Sequence, residues 1–122
     1  MPVLAGVFAA IAALLHVFIF AMESVLWSKP QTWKRFAVAN QAEADVLKPM
    51  AFNQGFYNLF LAIGIAVGLI IGDTAGHALV VFGCLSIVGA AIVLALGGAN
   101  YYRAAFMQGI TPLIALLLFW IL

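Results

Sequence analysis

The stretch VLAGVFAAIAALLHVFIFAMESVL, from Val3 to Leu26, decides the fold because it is too long and too apolar for a small soluble domain. It contains no Lys or Arg, and Glu23 is its one acidic residue. A helix that crosses the hydrocarbon core of a bilayer needs about 20 mainly apolar residues. The stretch therefore predicts a membrane-spanning helix. It is too long for the core of a cleavable signal peptide, so we expect no such signal.

The composition of the remaining chain agrees with this prediction. Of the 122 residues, 67% are hydrophobic and 7% are charged, whereas a soluble domain has about 25% charged residues. The net charge is +1 and no basic stripe is present, which argues against a nucleic-acid partner. Cys84 is the only cysteine, so no internal disulfide can form. We expect a single integral membrane domain over residues 1–122.

Four segments are long and apolar enough to span a bilayer, at about residues 3–26, 50–72, 78–99 and 104–122. Backbone polar groups in lipid must be satisfied within the segment, so all four are expected to be helices. The predicted fold class is therefore all-α, a bundle of four transmembrane helices, with the lipid bilayer as its surroundings.

The connections between the spans differ in length. In the long first loop, Asn40 followed by Glu43 is a capping-box pattern. It predicts a short amphipathic helix from about Gln41 that enters the second span through a kink at Pro49. The sequence DTAGH, residues 73–77, predicts a tight turn with a helix-stopping glycine.

The positions of the basic residues predict the orientation, because cytoplasmic loops carry an excess of Lys and Arg. All five basic residues fall on one side of the predicted bundle: Lys29, Lys34, Arg35 and Lys48 in the first loop, and Arg103 in the third. We therefore expect the first loop to be cytoplasmic, both termini to lie outside, and the membrane to be a bacterial cytoplasmic membrane. Trp27 and Trp33 are expected to anchor the inner interface.

Polar residues of all four spans fall at one depth, in the cytoplasmic half. They are Glu23 in the first span, Asn53, Gln54, Tyr57 and Asn58 in the second, Asn100 and Arg103 at the third loop, and Gln108 in the fourth. This distribution predicts an intramembrane polar pocket that opens toward the cytoplasm. For the amides of the second span, the alternative is that they only form hydrogen bonds between helices.

Glu23 and His16 are the candidate catalytic residues if the protein is an enzyme. They lie seven residues apart, so they share a helix face at an axial separation of about 10 Å. Both are expected to border one cavity, with Glu23 as general acid or base and His16 as its proton partner. Alternatively, Glu23 pairs with Arg103 or Lys29, and His16 makes a hydrogen bond between helices.

Gly64, Gly68 and Gly72 form a repeated small-residue pattern typical of close helix packing. This seam permits a contact within the chain or a homo-oligomer. The sequence contains no metal-ligand pattern, phosphate-binding loop or nucleophile motif, so we expect no metal and no cofactor.

The motif residues resemble a known family. His16, Glu23 and Trp27, the sequence NQGFYNLFLAIG from Asn53 to Gly64, and Gln108 with Pro112 resemble the bacterial and fungal membrane family called domain of unknown function 1304. The resemblance covers nearly the whole chain and implies a four-helix membrane protein of about this length. It implies no activity.

A weaker, architectural resemblance is to the MAPEG family of glutathione-using membrane enzymes, which are trimers with an arginine-rich pocket between subunits. The spans of this chain offer a single arginine, Arg103, so glutathione would lack cationic partners. This likeness concerns the fold alone.

Four functions are compatible with the sequence. We rank first the binding of a small amphiphilic or lipid-like molecule in the polar pocket, with neutral hydrogen bonds from the amides and Tyr57. A membrane enzyme acting on a lipophilic substrate comes second, a structural module third, and a small proton-coupled transporter fourth.

Overall fold

Four helices of the protein are long and apolar enough to cross a membrane, as the hydropathy of the sequence predicts. The computed structural model describes all 122 residues, and it is entirely helical apart from turns. The helices are α1 (Val3–Phe20), which continues as a π-helical turn (Ala21–Val25), the short α2 (Pro30–Trp33), α3 (Gln41–Ile71), α4 (Thr74–Leu96) and α5 (Tyr102–Ile121). The four long helices indicate an integral membrane protein.

The four long helices pack in a ring. Helix α1 contacts α3 and α5, and α4 contacts the same two helices from the opposite side, whereas α1 and α4 barely touch. The long connection between α1 and α3 and the short connection between α4 and α5 therefore lie at the same end of the bundle. We call this end, with residues 26–40 and 97–101, the loop end.

Small residues form the packed face of α1. Ala5, Ala9 and Ala12 are fully buried, whereas Leu14 on the opposite face is 71% exposed. In lipid, large apolar side chains gain nothing by turning inward, and small ones let helix backbones approach closely. Helix α1 consequently packs closely through its small residues, while the bundle core also buries Ile65, Ile87 and Val80 from α3 and α4.

Helix α3 is longer than the second span that the sequence predicts. It begins at Gln41, where the Glu43 backbone N–H donates to Asn40 Oδ1 over 2.8 Å, and it continues past Pro49 as one helix of 31 residues. The predicted short amphipathic helix is therefore the first part of α3 and not a separate element. Pro49 lies inside this helix, at an exposed position.

The turn between α3 and α4 is shorter than the sequence predicts. Gly72 ends α3 in the left-handed conformation, with φ 71°, a conformation that glycine adopts without steric cost. Asp73 then caps α4, its Oδ1 accepting the Gly76 N–H over 3.0 Å. Gly76 was predicted to stop a helix, but it lies in the first turn of α4, so that prediction is wrong.

The glycine seam of α3 serves contacts inside the chain. A Cβ atom at Gly68 would lie 2.6 Å from the Gly76 carbonyl oxygen of α4, so the two helices cross there with their backbones in contact. Gly72 is used as the helix cap, and a Cβ at Gly64 would meet no atom within 4 Å. Of the three glycines, only Gly68 packs against another helix.

A compact apolar cluster holds the long loop against the bundle. We call it the loop cluster, and its buried members are Trp27, Trp33, Val38, Ala44 and Ala51. Trp27 Nε1 donates to the Ala44 carbonyl over 2.9 Å, which ties the end of α1 to the start of α3. Since Trp27 and Trp33 are each 5% exposed, the prediction that they anchor a membrane interface is wrong.

We expect the Trp27→Phe substitution to lower the free energy of unfolding by about 1 kcal/mol. Phenylalanine keeps an aromatic ring in the loop cluster but cannot donate to the Ala44 carbonyl. Unfolding in detergent measures the difference. The matched control is Trp120→Phe, because Trp120 is 87% exposed, and an equal effect of both substitutions would contradict the role of the hydrogen bond.

Candidate functional site

Glu23 lies in a π-helical turn near the loop end of α1. The Leu26 N–H donates to the Ala21 carbonyl over 2.9 Å, a hydrogen bond that spans five residues where an α-helix spans four. Such turns cost regular helical bonding and are frequent at functional sites. The extra residue in this turn changes the direction in which Glu23 points relative to an unbroken α-helix.

The buried partner of Glu23 is Asn58 of α3. Asn58 Nδ2 donates to Glu23 Oε1 over 2.6 Å, and the two residues are 9% and 8% exposed. A hydrogen bond to a carboxylate in such surroundings is stronger than one between neutral groups. The pairing of Glu23 with Arg103 or Lys29, considered from the sequence, is not what the structure shows.

A glycine and a serine bring α1 and α3 together at this point. Ser24 Oγ donates to the Phe52 carbonyl over 2.8 Å, and a Cβ atom at Gly55 would collide with Ser24 Oγ. The absence of a side chain at Gly55 thus permits the close approach that seats Glu23 against Asn58. This explains why a glycine stands inside the polar motif of the second span.

A cleft of about 740 Å³ opens at the loop end beside this pair. Ten of its sixteen lining residues are hydrophobic, and they come from α1, α4, α5 and the long loop. Five residues that the sequence singled out line it together: Glu23, Asn58, Asn100, Arg103 and Gln108. The structure thereby gathers residues that are up to 85 positions apart in the chain, from Glu23 to Gln108.

The other polar residues of the second span lie elsewhere. Asn53, Gln54 and Tyr57 are exposed and do not line the cleft. Tyr57 instead borders an apolar groove of about 290 Å³ between α3 and α4. Of these four polar residues, Asn58 alone is buried in the bundle. The assignment of Asn53, Gln54 and Tyr57 to a ligand site stays a prediction.

His16 is also separate from the cleft. It is fully buried in α1, where its Nδ1 donates to the Ala12 carbonyl over 2.8 Å, and its Nε2 has no protein partner. The cleft lining includes Glu23 but not His16, although the sequence predicts that both border one cavity. The proposed proton exchange between them therefore stays a prediction.

Sequence reasoning missed the contribution of the long loop to the cleft. Arg35, Phe36 and Ala37 line it, as does Tyr101 from the connection before α5. Ala37 has φ 61°, in the left-handed region that residues with a Cβ rarely adopt, and no sequence pattern indicates this. Arg35 was identified only as a basic residue of the cytoplasmic loop.

The chemistry of the cleft follows from its lining. Its lining offers the buried carboxyl group of Glu23 and carboxamides, of which that of Asn58 is buried and that of Asn100 exposed. Two exposed guanidinium groups stand at its mouth, and its walls are apolar. Such a mixture suits a molecule with both a polar end and an apolar body. No group of three or more His, Cys, Asp or Glu side chains lies close enough together to hold a metal ion.

Comparison with known proteins gives one match. No curated protein and no solved structure matches the chain, so the architectural likeness to MAPEG enzymes stays a prediction. Residues 10–120 match the family described as "Protein of unknown function (DUF1304)", and this range includes most of the four long helices and every residue of the cleft. The chain thus belongs to the DUF1304 family, as its NQG-x-YN motif predicts.

Proposed function

We propose that the protein binds a small amphiphilic, lipid-like molecule in the cleft at the loop end. The observation that carries this proposal is the Glu23–Asn58 pair, which places a carboxylate bound by an amide at an otherwise largely apolar cleft. A carboxylate has acceptor capacity beyond one hydrogen bond, so Glu23 can also accept from a hydroxyl or amine of a ligand. The apolar walls then enclose the rest of the molecule.

The proposed orientation places the loop end in the cytoplasm and both termini outside. The basic residues support it, because Lys29, Lys34 and Arg35 lie in the long loop, Arg103 lies in the first turn of α5, and Lys48 lies in the N-terminal part of α3, which follows the long loop. A bacterial cytoplasmic membrane is the proposed location. In this orientation the cleft takes up its ligand from the cytoplasmic leaflet or from the cytoplasm.

The enzyme alternative has less support from the geometry. Acid–base chemistry by Glu23 and His16 requires both side chains at one cavity, and His16 lies outside the cleft lining. A homo-oligomer through the glycine seam also has less support, because Gly68 is already packed against α4 and Gly72 caps α3. Binding is therefore the function that the arrangement supports best.

We expect the Glu23→Gln substitution to abolish or strongly reduce a ligand that co-purifies with the wild-type protein. Glutamine keeps the shape of Glu23 and can still accept the Asn58 amide hydrogen bond, but its single amide oxygen leaves less acceptor capacity for a hydroxyl or amine of the ligand. Both proteins would be purified from native membranes in mild detergent, extracted, and compared by mass spectrometry. The matched control is Glu43→Gln, which changes an exposed carboxylate outside the cleft.

A species enriched with the wild type and with Glu43→Gln, but absent from Glu23→Gln, would support binding and identify its chemical class. Equal bulk-lipid profiles in all three proteins would contradict the proposal. The Glu23–Asn58 pair would then serve the packing of α1 against α3.

A further inference from the structure

Two exposed arginines from distant parts of the chain line the mouth of the same cleft. Arg35 belongs to the long loop and Arg103 to the first turn of α5, and both line the cleft. The sequence interpretation counted only Arg103 within the spans and concluded that glutathione would lack cationic partners. The fold of the loop removes that objection, because it adds a second guanidinium to the site.

The backbone on both sides of Arg35 is held in place. Trp33 before it and Val38 after it are both buried in the loop cluster. Between them, Ala37 adopts φ 61°, and its N–H donates to the Lys34 carbonyl over 3.2 Å. An L-residue pays roughly 1 kcal/mol or more for this conformation, so the surrounding contacts must enforce it. The loop thus places Arg35 and Ala37 at the cleft by a defined and costly conformation.

The guanidinium groups are available to a ligand. Both arginines are exposed, and Glu23, the one acidic residue of the cleft, accepts its hydrogen bond from Asn58. The neighbouring Lys34 differs, because its Nζ lies over the Trp33 ring at 5.8 Å from the centroid. A guanidinium offers paired donors that match the oxygens of a carboxylate or phosphate.

We propose that the ligand of the cleft is an amphiphile with an anionic head group, a carboxylate or a phosphate, that Arg35 and Arg103 bind at the mouth. Its chain lies against the apolar residues that α1 contributes to the wall, Leu15, Phe18 and Ile19. The inference rests on the proposed function, to which it adds the class of ligand. A free anion would satisfy the arginines but would leave the apolar wall unused.

The test compares head groups on one chain length. Delipidated protein in a neutral detergent is titrated with hexadecyl phosphate, hexadecanoate, hexadecanol and hexadecyltrimethylammonium, and binding is measured by native mass spectrometry. We expect the two anions to bind at least about tenfold more tightly than hexadecanol, since hydrogen bonds to charged groups contribute on the order of 2 kcal/mol. The cationic probe is expected to bind no better than hexadecanol.

Variants then locate the anion preference. Arg35→Gln and Arg103→Gln are each expected to reduce the affinity for hexadecyl phosphate about tenfold and to leave that for hexadecanol unchanged. Arg35→Lys is expected to restore part of the affinity, because it keeps the charge and loses the paired donors. Lys29→Gln removes a positive charge that lies in the long loop but outside the cleft, and it is expected to leave the affinity for hexadecyl phosphate unchanged. Circular dichroism and melting temperature check that the variants fold.

The possible results separate the two proposals. Equal affinity for hexadecanol and the anions, unchanged in the arginine variants, would overturn the inference and leave binding of an amphiphile intact. If Lys29→Gln and the arginine variants lost equal affinity for hexadecyl phosphate, this would also overturn the inference, because it would indicate only general attraction to a basic surface. Displacement of hexadecyl phosphate by equimolar inorganic phosphate would assign the site to a free anion and overturn the amphiphile. If no probe binds the wild type, both proposals fail.

Discussion

The Gly76→Ala variant is expected to lose about 2 kcal/mol of unfolding free energy relative to the wild type. The added Cβ atom would collide with the backbone carbonyl oxygen of Gly68, and a backbone atom cannot rotate away as a side chain can. Helices α3 and α4 must therefore move apart, which also loosens the packing of Val80 against α3. Reversible unfolding in mixed micelles measures the loss.

Gly64→Ala and Gly89→Ala are the matched controls for this prediction. A Cβ at either position meets no atom within 4 Å, so neither substitution is expected to lower stability, and the higher helix propensity of alanine raises it by up to about 1 kcal/mol. The sequence pattern alone would place Gly64 and Gly68 in the same seam. A loss at Gly64 as large as that at Gly76 would show that Gly64 also packs closely, most simply against a second copy of the chain.

The second large effect is expected at Asn58. Asn58→Leu removes the amide that donates to Glu23 Oε1 and leaves a buried carboxylate oxygen without its partner, at a cost of about 2 kcal/mol. Unfolding free energies give the loss directly. Asn53→Leu, which replaces an exposed amide of the same helix, is expected to change stability by less than about 0.5 kcal/mol.

A double-mutant cycle separates the hydrogen bond from simple loss of volume. In a Glu23→Leu background there is no carboxylate to leave unpaired, so Asn58→Leu should cost much less than it does in the wild type. If Asn58→Leu costs the same in both backgrounds, the amide contributes through packing. The hydrogen bond between Asn58 and Glu23 would then not contribute to stability.

The position of each polar residue along its helix was predictable from the sequence. The apolar runs set where each span begins and ends, and the polar residues within them must lie at depths fixed by a rise of about 1.5 Å per residue. Glu23, Asn58, Asn100, Arg103 and Gln108 were grouped on this ground, and the structure brings them to one cleft. The Asn40 cap of α3 was also predictable, because capping depends on residues close in sequence.

The direction of each side chain around its helix was not predictable. In a soluble helix the apolar face shows which side turns inward, but a helix in lipid is apolar on all sides. Asn53, Gln54 and Tyr57 therefore looked equivalent to Asn58, although only Asn58 points at Glu23. The contacts of α3 with its neighbours determine this rotation, and those contacts join residues far apart in the chain.

Local departures of the backbone from regular helix were also not predictable from the sequence. Nothing in the residues from Ala21 to Val25 indicates a π-helical turn, and nothing about Ala37 indicates a left-handed conformation. Both are less favourable locally than regular structure, so only contacts with the rest of the molecule can stabilise them. The sequence by itself thus determined the four long apolar helices and the family. The tertiary structure decided which polar groups meet and brought Arg35 to the cleft, because only packing between distant segments selects a face or enforces a strained turn.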